Sequence, residues 1–127
     1  RPLMGICLGM QLLSTKSFEF GINKGLNFIP GKVVKIETKS IYDDELKIPH
    51  IGWTQINFTG LEMSDFYYMA HSYQFIPDDN KNISSFCSYG GHKIVTSIQL
   101  ENIVGYQFHP EKSANQGLKL LDNFLKI

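Results

Sequence analysis

The chain has 127 residues, the size of one domain, and its 12 basic and 12 acidic residues give a formal net charge of zero. This balance argues against a nucleic-acid-binding protein or a polybasic membrane-surface protein, because both need clustered positive charge. With 43% hydrophobic and 19% charged residues, the chain has enough apolar side chains for a core and is not disordered. Its two cysteines, Cys7 and Cys87, are too few for a disulfide scaffold and fit a reducing compartment such as the cytoplasm.

The predicted elements begin with a buried strand at Pro2–Ile6, an apolar run typical of a parallel sheet and too short to span a membrane. From Leu8, apolar residues placed among polar ones as far as Lys16 predict a helix. Further strands are predicted over residues 32–37, 48–58, 66–70, 84–89, 93–99 and 103–108. The last element is an amphipathic helix, with Ser113 and Gln116 in the spacing of a capping box. The order of elements predicts an α/β layered domain with a mixed, strand-rich sheet.

The first strand raises a question about completeness. A buried parallel strand needs a neighbour on each side, and no strand precedes Pro2 in this sequence. We therefore expect residues 1–127 to form a single domain that lacks its N-terminal strands, with an apolar sheet edge exposed where they would pair.

The first motif, Gly5-Ile6-Cys7-Leu8-Gly9, places a cysteine between two glycines where the first strand turns into the first helix. A sharp turn of this kind presents a nucleophile, and a Cβ at either glycine is expected to crowd the backbone. The helix N-terminus is expected to favour the Cys7 thiolate, and the Leu8 N–H to point at a developing oxyanion. Two glycines around a cysteine also occur by chance, so the motif alone is weak.

The second motif, Gln107-Phe108-His109-Pro110-Glu111, follows the last predicted strand. A thiol nucleophile needs a base, and that base needs a carboxylate to orient it. His109 is the candidate base and Glu111 the candidate carboxylate. The alternative is an ordinary surface turn at a strand end.

Taken together, the two motifs resemble those of the class I (triad) glutamine amidotransferases. Three further segments, Leu26–Gly31, Pro49–Trp53 and Tyr68–Tyr73, are similar to the glutaminase subunit of imidazole glycerol phosphate synthase and to its close paralogues. The resemblance covers essentially the whole chain. It implies a flavodoxin-like α/β fold and a cofactor-independent, metal-free hydrolysis of L-glutamine.

The resemblance also implies a role for each residue of a Cys-His-Glu triad. Cys7 attacks the side-chain amide, forming a glutamyl thioester and releasing ammonia. His109 transfers protons, Glu111 holds the imidazole, and the Leu8 N–H stabilises the oxyanion.

Five positions match the family's contacts with the substrate. Gln11 and Glu19 correspond to contacts with the amino-acid end of glutamine, and His71, Ser72 and Tyr73 to a loop that binds its carboxylate. Glu19 has the alternative of a solvated charge at a helix end. His71 has the alternative of a packed structural histidine.

In this subgroup the ammonia passes to a partner synthase, and Trp53, Tyr68 and Lys112 match positions on the docking face. The alternatives are a core Trp, a core Tyr and a surface Lys. Thr54 stands where the subunits of histidine biosynthesis usually have Asn. A related group that supplies ammonia for amidating sugars of surface polysaccharides therefore stays open as an alternative.

Family members carry further residues before the first motif, which are expected to supply the first strands and a second oxyanion donor. We therefore expect the chain alone to be a poor glutaminase that associates through its exposed sheet edge. Two other function classes stay open: a cysteine hydrolase on the same fold, and a non-catalytic docking remnant. His50 and His92 match no metal-ligand spacing, and Cys87 is predicted to be buried filler.

Overall fold

The computed structural model describes residues 1–60 and 64–126. Within these residues the chain forms two β-sheets and two α-helices, α1 (Leu8–Leu12) and α2 (Ala114–Leu125). Neither helix is long and apolar enough to cross a membrane. The strands, in chain order, are β1 (Leu3–Ile6), β2 (Lys16–Ser17), β3 (Asn23–Lys24), β4 (Gly31–Lys35), β5 (His50–Phe58), β6 (Ser64–His71), β7 (Tyr73–Pro77), β8 (Ile83–Tyr89), β9 (His92–Leu100) and β10 (Ile103–Tyr106).

The larger sheet has six strands in the order β1-β10-β9-β8-β5-β6. β1 and β10 run parallel, with Ile6 opposite Tyr106, and the other neighbouring strands are antiparallel. The ladder continues past β1, because the Cys7 N–H donates to the Tyr106 carbonyl oxygen at 2.8 Å. Parallel pairing therefore brings the residues after β1 and the residues after β10 to one end of the sheet.

The smaller sheet has four strands in the order β3-β2-β4-β7. Its strands β4 and β7 are antiparallel, and β2 lies parallel to β4. Between this sheet, α1 and β9 lies one half of the core, consisting of Met10, Leu13, Ile29, Val33, Phe75, Val95 and Ile98. The other half consists of Ile36, Ile56, Tyr67, Met69, Cys87, Ile94 and Phe108. Both clusters include residues of β9, Val95 and Ile98 in the first and Ile94 in the second.

The predicted α/β class and the predicted strands are confirmed, with shifts at their ends. The first helix is shorter than predicted, because it ends at Leu12 and Lys16 pairs with Lys32 in the smaller sheet. The Ser14 hydroxyl donates to the Gln11 carbonyl oxygen at 2.8 Å, which satisfies a terminal acceptor of this short helix. Strands β2 and β3 were not predicted, because each is only two residues long. Strand β7 was also not predicted.

The predicted capping box at Ser113 and Gln116 is wrong. Ser113 precedes α2 but makes no side-chain cap. Its hydroxyl instead donates to the His109 carbonyl oxygen at 2.6 Å and accepts from the Tyr68 N–H at 3.0 Å. Gln116 donates from Nε2 to the carbonyl oxygen of Phe66 at 2.6 Å. Both side chains therefore tie the start of α2 to β6, a tertiary contact that competes with the local cap.

Candidate active site

Cys7 occupies a strained turn between β1 and α1. Its backbone has a φ of 54° and a ψ of −111°, a conformation unusual for a residue with a side chain. A Cβ added at Gly5 lies 2.6 Å from the Gly9 carbonyl oxygen, so the predicted need for glycine there is confirmed. The same prediction for Gly9 is wrong, because a Cβ at that position meets nothing within 4 Å.

The ionisation of Cys7 differs from the sequence-based expectation of a lowered thiol pKa. Burial raises the pKa of the Cys7 thiol above its ordinary value; the Leu8 N–H and the Gln107 side chain act to lower it, and the charges of Glu111 and Glu19 add to the increase. The helix α1 has only five residues, so its N-terminus offers little positive potential to offset the burial. The thiolate of Cys7 depends on hydrogen-bond donors more than on a helix dipole.

Residues after β10 and on β6 surround the sulfur of Cys7. Gln107 Nε2 lies 3.8 Å from Cys7 Sγ, and the Ala70 carbonyl oxygen lies 4.0 Å from it. The His109 N–H donates to the Tyr68 carbonyl oxygen at 3.0 Å, two residues before Ala70 on the same strand. One strand, β6, therefore contacts both the backbone of His109 and the sulfur of Cys7.

The candidate base and carboxylate are paired. His109 Nδ1 lies 3.1 Å from Glu111 Oε1, and both side chains are partly exposed. If Nδ1 carries the proton donated to Glu111, the other ring nitrogen, Nε2, is the one available to accept a proton from a thiol. Among the described residues, neither ring nitrogen of His109 is hydrogen-bonded to Cys7.

A cavity of about 310 Å³ opens beside the thiol. Seven of the predicted site residues line it, together with Pro49, Ile51 and Ala70: these seven are Cys7, Leu8, Gln11, Glu19, His71, Ser72 and Tyr73. Glu19 reaches it from the turn between β2 and β3, so its alternative as a charge at a helix end is wrong. His109, Glu111, Trp53, Tyr68 and Lys112 are not among the lining residues.

His71 is both a lining residue and a packed one. Burial lowers the pKa of His71 to about 4, an effect that its bond to Tyr73 opposes and nearby His50 increases. Its Nδ1 lies 2.8 Å from the carbonyl oxygen of Tyr73, an acceptor, so Nδ1 carries the proton. The His71 Nε2 and the His50 Nδ1 are buried without a partner in the described residues, and the two ring centroids are 5.4 Å apart. The neutral His71 ring thus holds the Tyr73 end of the loop.

The residues predicted to form a docking face lie outside the cavity. Trp53 on β5 and Tyr68 on β6 are directly opposite each other, with ring centroids 6.2 Å apart in an edge-to-face arrangement. Trp53 is 53% exposed, so its alternative as a core residue is wrong. Lys112 is exposed in the turn before α2, and Ile51 and Phe66 add exposed apolar side chains to the hairpin.

Gln107 was given no role from the sequence, although it lies within the second motif. Its side chain is fully buried and contacts both Cys7 and Gln11, at 3.8 Å and 3.1 Å. The sequence signal that could have identified it was its position two residues before His109. Gln107 directly follows β10 and therefore lies at the same end of the sheet as Cys7.

Cys87 behaves as predicted for buried filler, since it is fully buried and burial raises the pKa of its thiol to about 12. Within residues 1–60 and 64–126, no group of three or more His, Cys, Asp or Glu side chains is arranged to hold a metal ion.

Comparison with known families decides the assignment. Residues 1–127 match the family described as glutamine amidotransferase class-I. The chain is a class I glutamine amidotransferase by family. It is 44% identical, over 100% of its length and 62% of the relative's, to imidazole glycerol phosphate synthase subunit HisH of Pelagibacter ubique. The proteins of the same name from Aquifex aeolicus and Geobacter sulfurreducens are 44% and 46% identical over 98% of the chain and 60% and 63% of their own lengths.

A solved structure supports the amidotransferase fold. A Thermoplasma acidophilum protein, provisionally described as part of a GMP synthase, aligns with a TM-score of 0.66 at 21% identity. The alignment covers 98% of this chain and 56% of that one. The chain spans about three-fifths of the length of the curated relatives that it matches.

Proposed function

We propose that this chain carries the glutaminase site of an amidotransferase that hydrolyses L-glutamine to glutamate and ammonia. The observation that carries the proposal is the parallel pairing of β1 with β10, which brings Cys7, Gln107 and His109 to the same end of the sheet. The cavity beside Cys7 supplies room for a ligand the size of an amino acid.

The proposed chemistry proceeds through a thioester. His109 accepts the Cys7 proton, and the thiolate attacks the side-chain amide carbon of glutamine while the Leu8 N–H donates to the developing oxyanion. His109 then returns the proton to the departing nitrogen, and ammonia leaves as the C–N bond breaks. A water molecule, deprotonated by His109, attacks the thioester, which releases glutamate and restores the thiol. Glu111 orients the imidazole in each step.

The residues of the cavity fit the amino-acid end of glutamine. The carboxylate of Glu19 and the amide of Gln11 suit an α-ammonium group, which needs hydrogen-bond acceptors. Backbone groups of the loop 71–73 suit the α-carboxylate. Because burial holds His71 neutral, its ring adds no charge to this part of the cavity.

We further propose that the ammonia passes to a partner synthase, because the relatives are named as subunits of imidazole glycerol phosphate synthase. The identity to these relatives favours, as the acceptor of the ammonia, a cyclase of the imidazole glycerol phosphate synthase type over a sugar-amidating enzyme. Thr54, which stands where the subunits of histidine biosynthesis usually have Asn, departs from this pattern. The proposed docking face consists of the exposed Trp53, of Tyr68, which packs edge-to-face against it, and of the exposed Lys112. A reducing compartment keeps thiols in their reduced form, so the proposal includes a cytoplasmic location.

The site is tested by labelling with a glutamine analogue that carries a diazoketone in place of the side-chain amide. Mass spectrometry of the digested chain is expected to find the label on Cys7 and not on Cys87, with protection by L-glutamine and none by L-asparagine. The Cys87→Ser variant serves as the matched control and keeps full labelling. Labelling that L-glutamine does not prevent indicates a cysteine hydrolase of other specificity, and absence of labelling with an intact fold indicates a docking remnant.

The partner is tested by measuring ammonia release with and without the cyclase of imidazole glycerol phosphate synthase. Trp53→Ala is expected to weaken binding of the cyclase about tenfold or more, as for an aromatic residue at an interface centre. The control is Tyr42→Ala, because Tyr42 is 79% exposed and lies outside the hairpin. Equal binding by both variants contradicts the docking face, and stimulation by a sugar-amidating enzyme instead of the cyclase changes the acceptor.

A further inference from the structure

Gln107 lies at the centre of the hydrogen bonds around the thiol. Its side chain is fully buried, and its backbone N–H donates to the Thr96 carbonyl oxygen at 2.8 Å, which fixes its position against β9. Its Nε2 donates towards Cys7 Sγ over 3.8 Å, and its Oε1 accepts from Gln11 Nε2 at 3.1 Å. One amide thus joins the candidate nucleophile to a candidate substrate-binding residue.

The direction of these bonds follows from the chemistry of a carboxamide, which has one donating end and one accepting end. Because Gln11 donates to the oxygen of Gln107, the nitrogen of Gln107 is the end turned to the sulfur. The reverse orientation places an oxygen against the sulfur, which repels a thiolate.

The thiolate has few other sources of stabilisation in this site. Burial and the carboxylates of Glu111 and Glu19 all oppose ionisation of Cys7. Two N–H groups act in the other direction, one from the Leu8 backbone and one from the Gln107 side chain. Among the described residues, Gln107 is therefore the side chain that donates a hydrogen bond to the sulfur.

We propose that Gln107 is a positioning residue that links the Cys7 thiolate to the Gln11 amide through one continuous chain of hydrogen bonds. A cation bound to the side-chain oxygen of Gln11 makes the Gln11 N–H a stronger hydrogen-bond donor to Gln107. This in turn makes the Gln107 N–H that faces the sulfur a stronger donor. An α-ammonium group in the cavity thereby favours the ionised nucleophile. The identity of that ligand as glutamine rests on the proposed function, whereas the chain of hydrogen bonds itself needs no substrate.

The experiment measures the pH dependence of Cys7 alkylation by iodoacetamide, with each cysteine quantified separately by mass spectrometry. Gln107→Met preserves the length of the side chain and removes both hydrogen bonds. We expect its profile to move to higher pH, with alkylation at pH 7 about tenfold slower, because a hydrogen bond to a charged group is lost. Gln74→Met is the matched control: Gln74 is also a buried amide, but it accepts from the Val95 N–H.

A Gln107→Met profile that superimposes on that of the unaltered chain overturns the proposal, and so does an equal shift in Gln74→Met. If Gln107→Met does not fold, Gln11→Met replaces it, because that variant frees the Gln107 amide to turn away from the sulfur. A smaller shift to higher pH then supports the proposal, and an unchanged profile overturns it. Iodoacetamide needs no glutamine site, so a shift without labelling by the diazoketone supports the hydrogen-bond chain and rejects the proposed glutaminase.

Discussion

The backbone of His109 is hydrogen-bonded to that of Tyr68, with the His109 N–H 3.0 Å from the Tyr68 carbonyl oxygen. Tyr68 also donates its own N–H to Ser113, whose hydroxyl donates to the carbonyl oxygen of His109. The candidate base and the proposed docking face, where Tyr68 packs against Trp53, are therefore parts of one hydrogen-bonded unit. A partner bound to Trp53 and Tyr68 therefore contacts a residue whose backbone is hydrogen-bonded to His109.

Ser113 makes two of the three hydrogen bonds of this unit. Ser113→Ala removes both of its hydrogen bonds and leaves the Tyr68 N–H without its acceptor. We expect the free energy of unfolding, measured by urea denaturation, to fall by about 1–3 kcal/mol. Ser88→Ala, at an exposed serine, is the control and should change it by less than about 0.5 kcal/mol. Equal stabilities for the two variants contradict the unit.

Glu111 is expected to have opposite effects on turnover and on thiol reactivity. Glu111→Gln removes the charge that orients His109, so ammonia release should fall about a hundredfold. The same charge raises the pKa of Cys7, so its removal should make alkylation by iodoacetamide at pH 7 roughly twofold faster. Glu45→Gln, at an exposed carboxylate, is the control. A parallel fall of both rates indicates disruption of the site and rejects the assigned role.

The two glycines of the first motif should respond differently to alanine. Gly5→Ala places a Cβ 2.6 Å from the Gly9 carbonyl oxygen, and we expect a loss of about 2 kcal/mol or more in unfolding free energy. Gly9 lies in α1 with open space around it, so Gly9→Ala should be neutral or stabilising by about 0.5–1 kcal/mol. Thermal unfolding of the two variants makes the comparison, and a destabilised Gly9→Ala contradicts it.

His71 should make the stability depend on pH. Its pKa is 6.5 in the unfolded chain and about 4 in the folded one, so the unfolded state binds more protons between these values. The contribution of neutral His71 to the free energy of unfolding is therefore fully present above pH 6.5. It decreases by about 3 kcal/mol as the pH falls towards 4. Urea denaturation across this range measures the effect.

His71→Asn is the informative variant, because its amide nitrogen still reaches the Tyr73 carbonyl oxygen but does not titrate. Its stability should decrease less steeply between pH 6.5 and 4 than that of the unaltered chain. His92→Asn is the control, since His92 lies away from the cavity and bonds to the Lys39 carbonyl oxygen. Equal slopes for the chain and for His71→Asn reject the assignment.

Local patterns were sufficient for most of the secondary structure. Alternating and continuous apolar runs predicted β4, β5, β6, β8, β9 and β10, because side-chain periodicity is a property of a few neighbouring residues. The extent of α1 and the cap of α2 were predicted wrongly for a shared reason. Lys16 and Ser113 have local options, but Lys16 pairs with Lys32 in the smaller sheet and the Ser113 hydroxyl accepts from the Tyr68 N–H, and neither contact can be read from neighbouring residues.

By itself, the sequence determined the residue types of the site, the turn at Cys7 and the pairing of His109 with Glu111 two residues later, because these features are local. Tertiary structure decided that β1 and β10 lie side by side, and with this that Gln107 lies against Cys7 and Gln11. It also decided the sign of the change in the pKa of Cys7, since desolvation depends on everything packed around the sulfur and not on the motif that contains it.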